Sequence, residues 1–149
     1  MNLPSGYQLT DDLKRMDFDR IQSWLAGSYW VPGISREETE RGARNSALTV
    51  GAFDSAGNQV GFLRVVSDKV RFAYFMDVFV DPVHRKRGLA KAMVQYVFDH
   101  PEFKTVKQWV LATRDAQEVY RPLGFEALKY PERWMARVLS PQVPPLPKD

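Results

Sequence analysis

One stretch of the chain, residues 74–98, limits the folds open to it more than any other. It begins with an aromatic and β-branched run that ends at Val80, passes through a proline-containing turn and a basic loop, and continues as a helical pattern of apolar residues. This pattern predicts a strand, a loop and a helix in that order. The first N–H groups of a helix lack partners within the helix and lie at the positive end of its dipole. The stretch therefore predicts an anion-binding site.

The loop of this stretch is basic and contains a glycine. Arg85, Lys86 and Arg87 are consecutive, and Gly88 follows them directly. Three cations attract an anion, and a residue without Cβ lets a phosphate approach the backbone closely. We therefore predict that residues 85–90 bind a pyrophosphate. The alternative is a solvated basic turn ahead of an ordinary helix.

The whole chain predicts one globular domain. Its 149 residues are 44% hydrophobic and 26% charged, which is ordinary for such a domain. We assign residues 1–140 to this domain and expect the proline-rich tail, residues 141–149, to be disordered. The net charge of +3 is too small to indicate a nucleic-acid partner, but it suits a polyanionic ligand if the charge is concentrated at the basic loop.

Several classes of site are excluded or disfavoured by residue counts. The chain has no cysteine, which excludes disulfides, cysteine-bound metals and an acyl-thioester enzyme intermediate. Neither His84 nor His100 has a partner at metal-ligand spacing, so we expect no metal. No apolar run approaches the roughly 20 residues of a membrane helix, and no signal peptide opens the sequence. We therefore expect no membrane partner and a cytoplasmic protein.

The remaining elements predict a mixed α/β fold. Hydrophobic periodicity and turn residues predict six to seven strands, at residues 7–10, 47–53, 59–66, 72–80, 108–112, from 124 onward and 134–139. About four helices are predicted: two after the caps Asp17 and Ser35, one over residues 88–99, and a short one that Asp115 can cap and that runs through Tyr120. The sheet is expected to be mostly antiparallel and twisted, with the second, third and fourth strands as a meander and one parallel pair where a helix connects the fourth and fifth strands. Open sheet edges are compatible with a homodimer.

Two motifs resemble the two signatures of the GNAT superfamily of acyl-CoA-dependent N-acetyltransferases. Arg85-x-x-Gly88-x-Ala90 after a strand resembles the acyl-CoA loop of that family, and Ala116-x-x-x-Tyr120-x-x-x-Gly124-Phe125 resembles its second signature. The resemblance covers roughly residues 60–139. It implies a GNAT-like fold in which the parallel pair splays apart at the centre of the sheet and acetyl-CoA enters the gap.

The resemblance also implies which residues bind acetyl-CoA. Its pantetheine arm pairs with the backbone of the fourth strand, its pyrophosphate receives N–H groups from the basic loop, and Thr113 stands where many members have asparagine. The implied cofactor-binding residues are Val78, Phe79, Val80, Arg85, Lys86, Arg87, Gly88, Leu89, Ala90 and Thr113.

Two residues are candidates for the chemistry. Tyr120 matches the general acid of the family, and a tyrosine hydroxyl titrates near 10, close to a thiol, so it can protonate a leaving sulfur. A core aromatic is the alternative for Tyr120. Asp77 interrupts an apolar strand, where a carboxylate is costly unless it is used or paired. It is a candidate base, directly or through water, an ammonium anchor, or one half of an ion pair with an arginine.

The resemblance implies that the acceptor binds under the first two helices. The implied substrate-binding residues are Tyr29, Trp30, Arg41, Asn45 and Ser46. Aromatic faces there can enclose an amine by cation–π contact, and simple packing is the alternative. The predicted function is direct transfer of acetyl from acetyl-CoA to a primary amine of a small molecule in a ternary complex. The alternatives are a protein or peptide N-acetyltransferase and a non-catalytic acyl-CoA sensor.

Overall fold

The computed structural model describes residues 3–139, in which five strands form one sheet in the order β1-β2-β3-β4-β5. The strands are β1 (Gln8–Thr10), β2 (Leu48–Phe53), β3 (Gln59–Ser67), β4 (Phe72–Val80) and β5 (Gln108–Val110). The helices are α1 (Phe18–Ala26), α2 (Arg36–Arg44), α3 (Leu89–Asp99) and α4 (Gln117–Tyr120). None of the helices in this part of the chain has the length and apolar composition that crossing a membrane requires.

Local caps start the first two helices where the sequence predicts. The Asp17 carboxylate accepts a hydrogen bond from the Arg20 N–H at 3.0 Å and begins α1. Ser35 and Glu38 form a reciprocal capping box at the start of α2. Each bond satisfies an N–H group that the helix itself leaves without a partner, so both predicted starts are confirmed.

The helices cover both faces of the sheet. Neighbours in β3 point to opposite faces, and Phe62 and Leu63 accordingly belong to two separate clusters of buried side chains. The cluster around Leu63 contains the apolar face of α3, and the cluster around Phe62 contains buried side chains of α1 and α2. The predicted meander of β2, β3 and β4 is confirmed, because both of its pairs are antiparallel.

The predicted number of six to seven strands is wrong, because the described residues form five. No strand begins at Gly124-Phe125, and none forms over residues 134–139. Gly124 has a φ of +97° and ends a 3₁₀ turn, and the chain beyond it stays at the surface, with residues 126–139 all exposed. β-prone residues form a strand only when another strand pairs with them, and here β5 is the edge of the described sheet and pairs with neither segment. The predicted tail, residues 141–149, lies outside the described residues.

The predicted parallel pair is confirmed, and it is short. β4 and β5 pair only from Phe72 with Gln108 to Tyr74 with Val110. Beyond Tyr74, β4 continues to Val80 while β5 has ended, so the edge of β4 is open over six residues. A bulge falls within this open part, where the register with β3 shifts between Phe62 and Arg64 and Asp77 has a φ of +57°. The sheet therefore contains a gap between β4 and β5.

Candidate active site

The basic loop presents free backbone donors at the start of α3. Among residues 3–139, no atom accepts a hydrogen bond from the N–H groups of residues 86–90. Arg85 differs, because its N–H donates to the Pro82 carbonyl at 3.4 Å within a 3₁₀ turn. Of the predicted N–H donors, all those from Lys86 to Ala90 are therefore without an acceptor in the described residues. Lys86 and Gly88 both have left-handed backbones, with φ of +64° and +81°, and a Cβ built on Gly88 meets nothing within 4 Å.

The side chains of the loop have different roles. Arg85 folds back over β4, where its Nε donates to the Val80 carbonyl at 2.9 Å and its guanidinium lies 5.2 Å from the Phe79 ring centre. Arg87 donates to the Tyr7 hydroxyl at 2.7 Å. Lys86 makes no hydrogen bond or ion pair within the described chain, so its ammonium is the cation of this loop that remains available to a phosphate.

The open edge of β4 offers backbone groups at Val80. The Asp81 N–H donates to the Val60 carbonyl of β3 at 2.8 Å. Since successive residues of a strand direct their backbone groups to opposite edges, the N–H of Val80 faces the gap, as does the carbonyl that Arg85 already contacts. The same alternation turns the backbone groups of Val78 to the gap and those of Phe79 toward β3, while the Phe79 ring stacks on Trp24 at 5.2 Å.

Tyr120 is the last residue of α4 and belongs to the core cluster that also contains Phe75 of β4. Its side chain is buried, with 7% of the residue exposed, and its hydroxyl has no hydrogen-bond partner among the described residues. Burial, with a smaller contribution from Tyr29, raises the pKa of Tyr120 to about 12. Tyr120 lines a cavity of about 340 Å³ beside β5, together with Thr113 and Phe125. The hydroxyl is therefore protonated at neutral pH and free to donate.

Asp77 is held on both carboxylate oxygens. Oδ2 accepts from the Nε of Arg64 at 2.6 Å, and Oδ1 accepts from the indole N–H of Trp30 at 2.9 Å. The Asp77 side chain is only 6% exposed. Among its three predicted roles, this geometry matches the ion pair with an arginine. Arg64 itself was not among the predicted site residues, although it is a charge inside a run of apolar residues on the neighbouring strand, just as Asp77 is.

Tyr29 and Trp30 reach the gap from the loop after α1. The Tyr29 hydroxyl accepts from the Arg114 N–H at 3.0 Å, and the Arg114 guanidinium lies 4.0 Å from the Tyr29 ring centre. Trp30 packs edge-on against Tyr29, with ring centres 5.0 Å apart. Burial is the main cause of the raised pKa values of Tyr74 and Tyr120, and the proximity of Tyr29 adds to both. Through these contacts Tyr29 joins the loop after α1 to the segment that follows β5.

Of the other three predicted acceptor residues, one contacts the Asp77–Arg64 ion pair and two do not. Ser46 lies near the ion pair, where its hydroxyl accepts from the Arg64 Nη1 at 3.4 Å. Arg41 and Asn45 make their described contacts within α2, Arg41 with Glu37 at 3.7 Å and Asn45 with the Arg41 carbonyl at 2.8 Å. The structure brings Ser46 toward the site, and it leaves Arg41 and Asn45 as predictions.

Thr113 has a structural role next to the cavity. Its hydroxyl accepts from the Ala116 N–H at 3.0 Å, which prepares the start of α4. The predicted cap Asp115 makes no such bond and pairs instead with Arg114 at 3.6 Å. The prediction of Asp115 as the cap is wrong, because the chain turns into α4 one residue later and places Thr113 within reach. In the described part of the chain, no three His, Asp or Glu side chains form a group that could hold a metal ion.

Comparison with known families and solved structures identifies the family of this chain. The model of the family described as acetyltransferase (GNAT) domain matches residues 45–127. A protein of Xanthomonas campestris pv. campestris assigned to the GNAT family is 34% identical, with a TM-score of 0.87, and the match covers 95% of this chain and 99% of that one. No curated protein matches the chain.

More distant structures share the fold. Glucosamine-6-phosphate N-acetyltransferase of Arabidopsis thaliana is 16% identical with a TM-score of 0.65, over 90% of this chain and 99% of that one. An acetyltransferase structure of Clostridium acetobutylicum with acetyl-CoA is 16% identical with a TM-score of 0.63, over 89% and 95% of the two chains. The family model covers more than half of the sequence, and the Xanthomonas protein matches nearly all of it. This chain therefore belongs to the GNAT acetyltransferase family, whose fold carries out acyl transfer.

Proposed function

We propose that this protein transfers an acetyl group from acetyl-CoA to a primary amine of a small molecule, directly and within a ternary complex. The observation that carries the proposal is the row of free N–H groups at residues 86–90 beside the open edge of β4, in a fold that also holds a Tyr120 hydroxyl without a partner among the described residues. Such donors at a helix N-terminus suit a diphosphate, and an open strand edge suits the amides of a pantetheine arm. The acetyl-CoA in the Clostridium structure supports the same co-substrate here.

The residues of the loop and of β4 hold the co-substrate in this proposal. Residues 86–90 donate to the diphosphate, Lys86 adds a charge, and Val78 and Val80 offer backbone groups to the amides. Gly88 keeps the space in front of the loop clear, since any side chain there would point into it. Acetyl-CoA supplies the activated thioester, and the chain supplies position and hydrogen bonds.

Tyr120 acts as the donor to the leaving sulfur in this proposal. Its pKa of about 12 lies above that of a thiol, which is about 8.5 for cysteine. A hydrogen bond to the developing thiolate is therefore favoured over complete proton transfer before the carbon–sulfur bond breaks. The proton that the amine releases on attack can then protonate the thiolate. Tyr120 therefore keeps its own hydroxyl proton.

The acceptor site suits a small amine better than a basic peptide. A groove for basic peptides needs uncompensated carboxylates, but two of the three acidic residues of α2 are paired along the helix, and the third, Glu38, accepts from the Ser35 N–H in the capping box. Glu37 contacts Arg41 at 3.7 Å, and Glu40 contacts Arg36 at 3.3 Å and Arg44 at 3.4 Å. Tyr29 and Trp30 instead offer aromatic faces to a cation. That the Arabidopsis relative acetylates an amino sugar is consistent with this class of acceptor.

A screen of amines with acetyl-CoA tests the proposed function through release of CoA thiol. We expect turnover with at least one class of small primary amine, and no faster turnover with peptides that carry a free N-terminus or lysine. Faster turnover with peptides would favour the protein N-acetyltransferase. Binding of acetyl-CoA without thiol release from any amine would favour the non-catalytic sensor.

A homodimer and a cytoplasmic location stay predictions. One observation supports the homodimer: β5 is an edge strand, and the exposed segment that follows α4 carries Met135, Val138 and Leu139, which are 97%, 73% and 81% exposed. Open edges and exposed apolar side chains are surfaces that a second subunit can bury. Light scattering at micromolar concentration measures this directly, with a mass near twice 17.2 kDa expected for the dimer.

A further inference from the structure

Tyr7 connects the beginning of the chain to the basic loop. Its hydroxyl lies 2.7 Å from the Nδ1 of His84, which is 77 positions away, and accepts from the Nη1 of Arg87 at 2.7 Å, which is 80 positions away. The Tyr7 ring also meets the His84 ring edge-on, at 5.7 Å between centres. The hydroxyl oxygen accepts from Arg87, and the same hydroxyl bonds the His84 Nδ1 in either tautomer of the imidazole, as donor or as acceptor. One hydroxyl thus joins two loop residues.

These two residues flank the strained position of the loop. Lys86 lies between them with a φ of +64°, a conformation that is unfavourable for a residue with a Cβ. Such a conformation persists only where the surrounding structure holds it. His84 before it and Arg87 after it are both attached to Tyr7, and Arg85 is attached to the Val80 carbonyl. Every basic side chain of the loop except that of Lys86 is therefore fixed to another part of the fold.

The fixed side chains are placed to hold the free donors in one arrangement. The N–H groups that lack partners begin at Lys86 and run into the first turn of α3. The start of α3 has no side-chain cap. The bonds to Tyr7 add a restraint from the residue directly before β1, which lies on the far edge of the sheet from β5. A site fixed before its ligand arrives loses less conformational entropy on binding.

We propose that Tyr7 is a positioning residue for the coenzyme: through His84 and Arg87 it holds the donors of residues 86–90 in the arrangement that binds a diphosphate. The inference rests on the proposed function. Tyr7 needs no contact with the coenzyme for this role, and its effect depends on the phosphates, because only they use the donors that it arranges.

The variant Tyr7→Phe removes the hydroxyl and keeps the ring. We expect the KM for acetyl-CoA and the Kd for CoA to rise about tenfold, as the loss of two hydrogen bonds allows, with kcat at saturation unchanged. With S-acetylpantetheine, which lacks the diphosphate, the variant and the wild type should have equal kcat/KM. Tyr130→Phe is the matched control, because the Tyr130 hydroxyl makes no hydrogen bond within the described residues.

A double-mutant cycle tests the route through Arg87. In an Arg87→Met background, Tyr7→Phe should raise the Kd for CoA by clearly less than it does alone, because the two changes remove the same bond. If Tyr7→Phe does not fold, as thermal unfolding would show, His84→Phe carries the same expectation for CoA against S-acetylpantetheine, because it removes the other bond to the Tyr7 hydroxyl and leaves Arg87 in place.

The outcomes separate this inference from the proposed function. An unchanged Kd for CoA in Tyr7→Phe overturns the positioning role while the proposed function stands. An equal loss with S-acetylpantetheine also overturns it, because the effect would then be a general disturbance of the fold. Absence of CoA binding to the wild type overturns the proposed function and this inference with it.

Discussion

Asp77 and Arg64 form an ion pair across β3 and β4, with 2.6 Å between Oδ2 and Nε, and their side chains are 6% and 17% exposed. Its partial burial distinguishes it from a surface pair, which contributes little to stability. The pair sits at the bulge in β4, and Asp77 also accepts the indole N–H of Trp30. One carboxylate therefore joins β3, the open part of β4 and the loop after α1.

Removing one partner of this pair should be costly. We expect Asp77→Ala to lower the free energy of unfolding by about 3 kcal/mol or more, because Arg64 is left as a partly buried charge without a partner. The double variant Asp77→Leu with Arg64→Met should recover most of that loss, since no charge remains buried. Urea unfolding followed by tryptophan fluorescence measures both.

The same two variants separate the structural role of Asp77 from a role as base. If Asp77 is structural, activity in the double variant should return together with stability. A kcat that stays roughly 100-fold or more below the wild type in a stably folded double variant would instead identify Asp77 as the base.

Substitution of Gly88 should be unfavourable for two reasons, its left-handed backbone and the open space in front of it. At a φ of +81°, we expect Gly88→Ala to cost about 1 kcal/mol of stability and to raise the Kd for CoA at least tenfold, because the new methyl group points into the open space before the loop. Gly27→Ala is the control, since Gly27 has a φ of −92° and its nearest neighbour lies 3.8 Å from the added Cβ. Calorimetry with CoA and thermal unfolding of both variants give the comparison.

Tyr120→Phe should separate chemistry from binding. We expect kcat to fall by roughly 100-fold or more while the Kd for CoA changes less than about twofold, because the hydroxyl is needed only when charge develops on the leaving sulfur. Steady-state kinetics and calorimetry on one preparation measure the two quantities. An unchanged kcat would show that departure of the thiolate does not depend on a hydrogen bond from Tyr120.

The raised pKa of Tyr120 should also make the folded protein less stable at alkaline pH. Its pKa is raised from about 10 to about 12 in the folded protein, so between these values the folded state keeps a proton that the unfolded state has lost. Stability therefore falls as the pH rises from 10 to 12, by about 3 kcal/mol for this group alone. Tyr120→Phe lacks this loss, and the difference between the two urea unfolding series over that range isolates it from the other tyrosines and the lysines.

Trp30→Phe should affect the acceptor more than the coenzyme. The change removes the hydrogen bond to Asp77 and loosens the loop that carries Tyr29. We expect the KM for the amine to rise about tenfold, with the KM for acetyl-CoA within about twofold of the wild type. Trp134→Phe is the control, because Trp134 is 45% exposed and its ring packs on Phe72, away from the gap.

Local patterns in the sequence were sufficient for the elements that depend on neighbours in the chain. The caps at Asp17 and Ser35, the antiparallel meander and the strand, loop and helix around Gly88 follow from residues a few positions apart, and the structure confirms them. The prediction of strands from Gly124 and over residues 134–139 is wrong because strand formation depends on a partner that is distant in the chain. A strand needs a partner, and β propensity carries no information on whether one lies beside it.

What the sequence by itself determined is the family, the order of the main elements and the place of the basic loop before α3, because these depend on short-range chemistry. Only the tertiary structure decided what the individual charges and hydroxyls contact. The register between β3 and β4 paired Asp77 with Arg64, and the return of the chain past β1 brought Tyr7 to Arg87. Contacts between residues so far apart are set by how the whole sheet and its helices pack, which no local pattern contains.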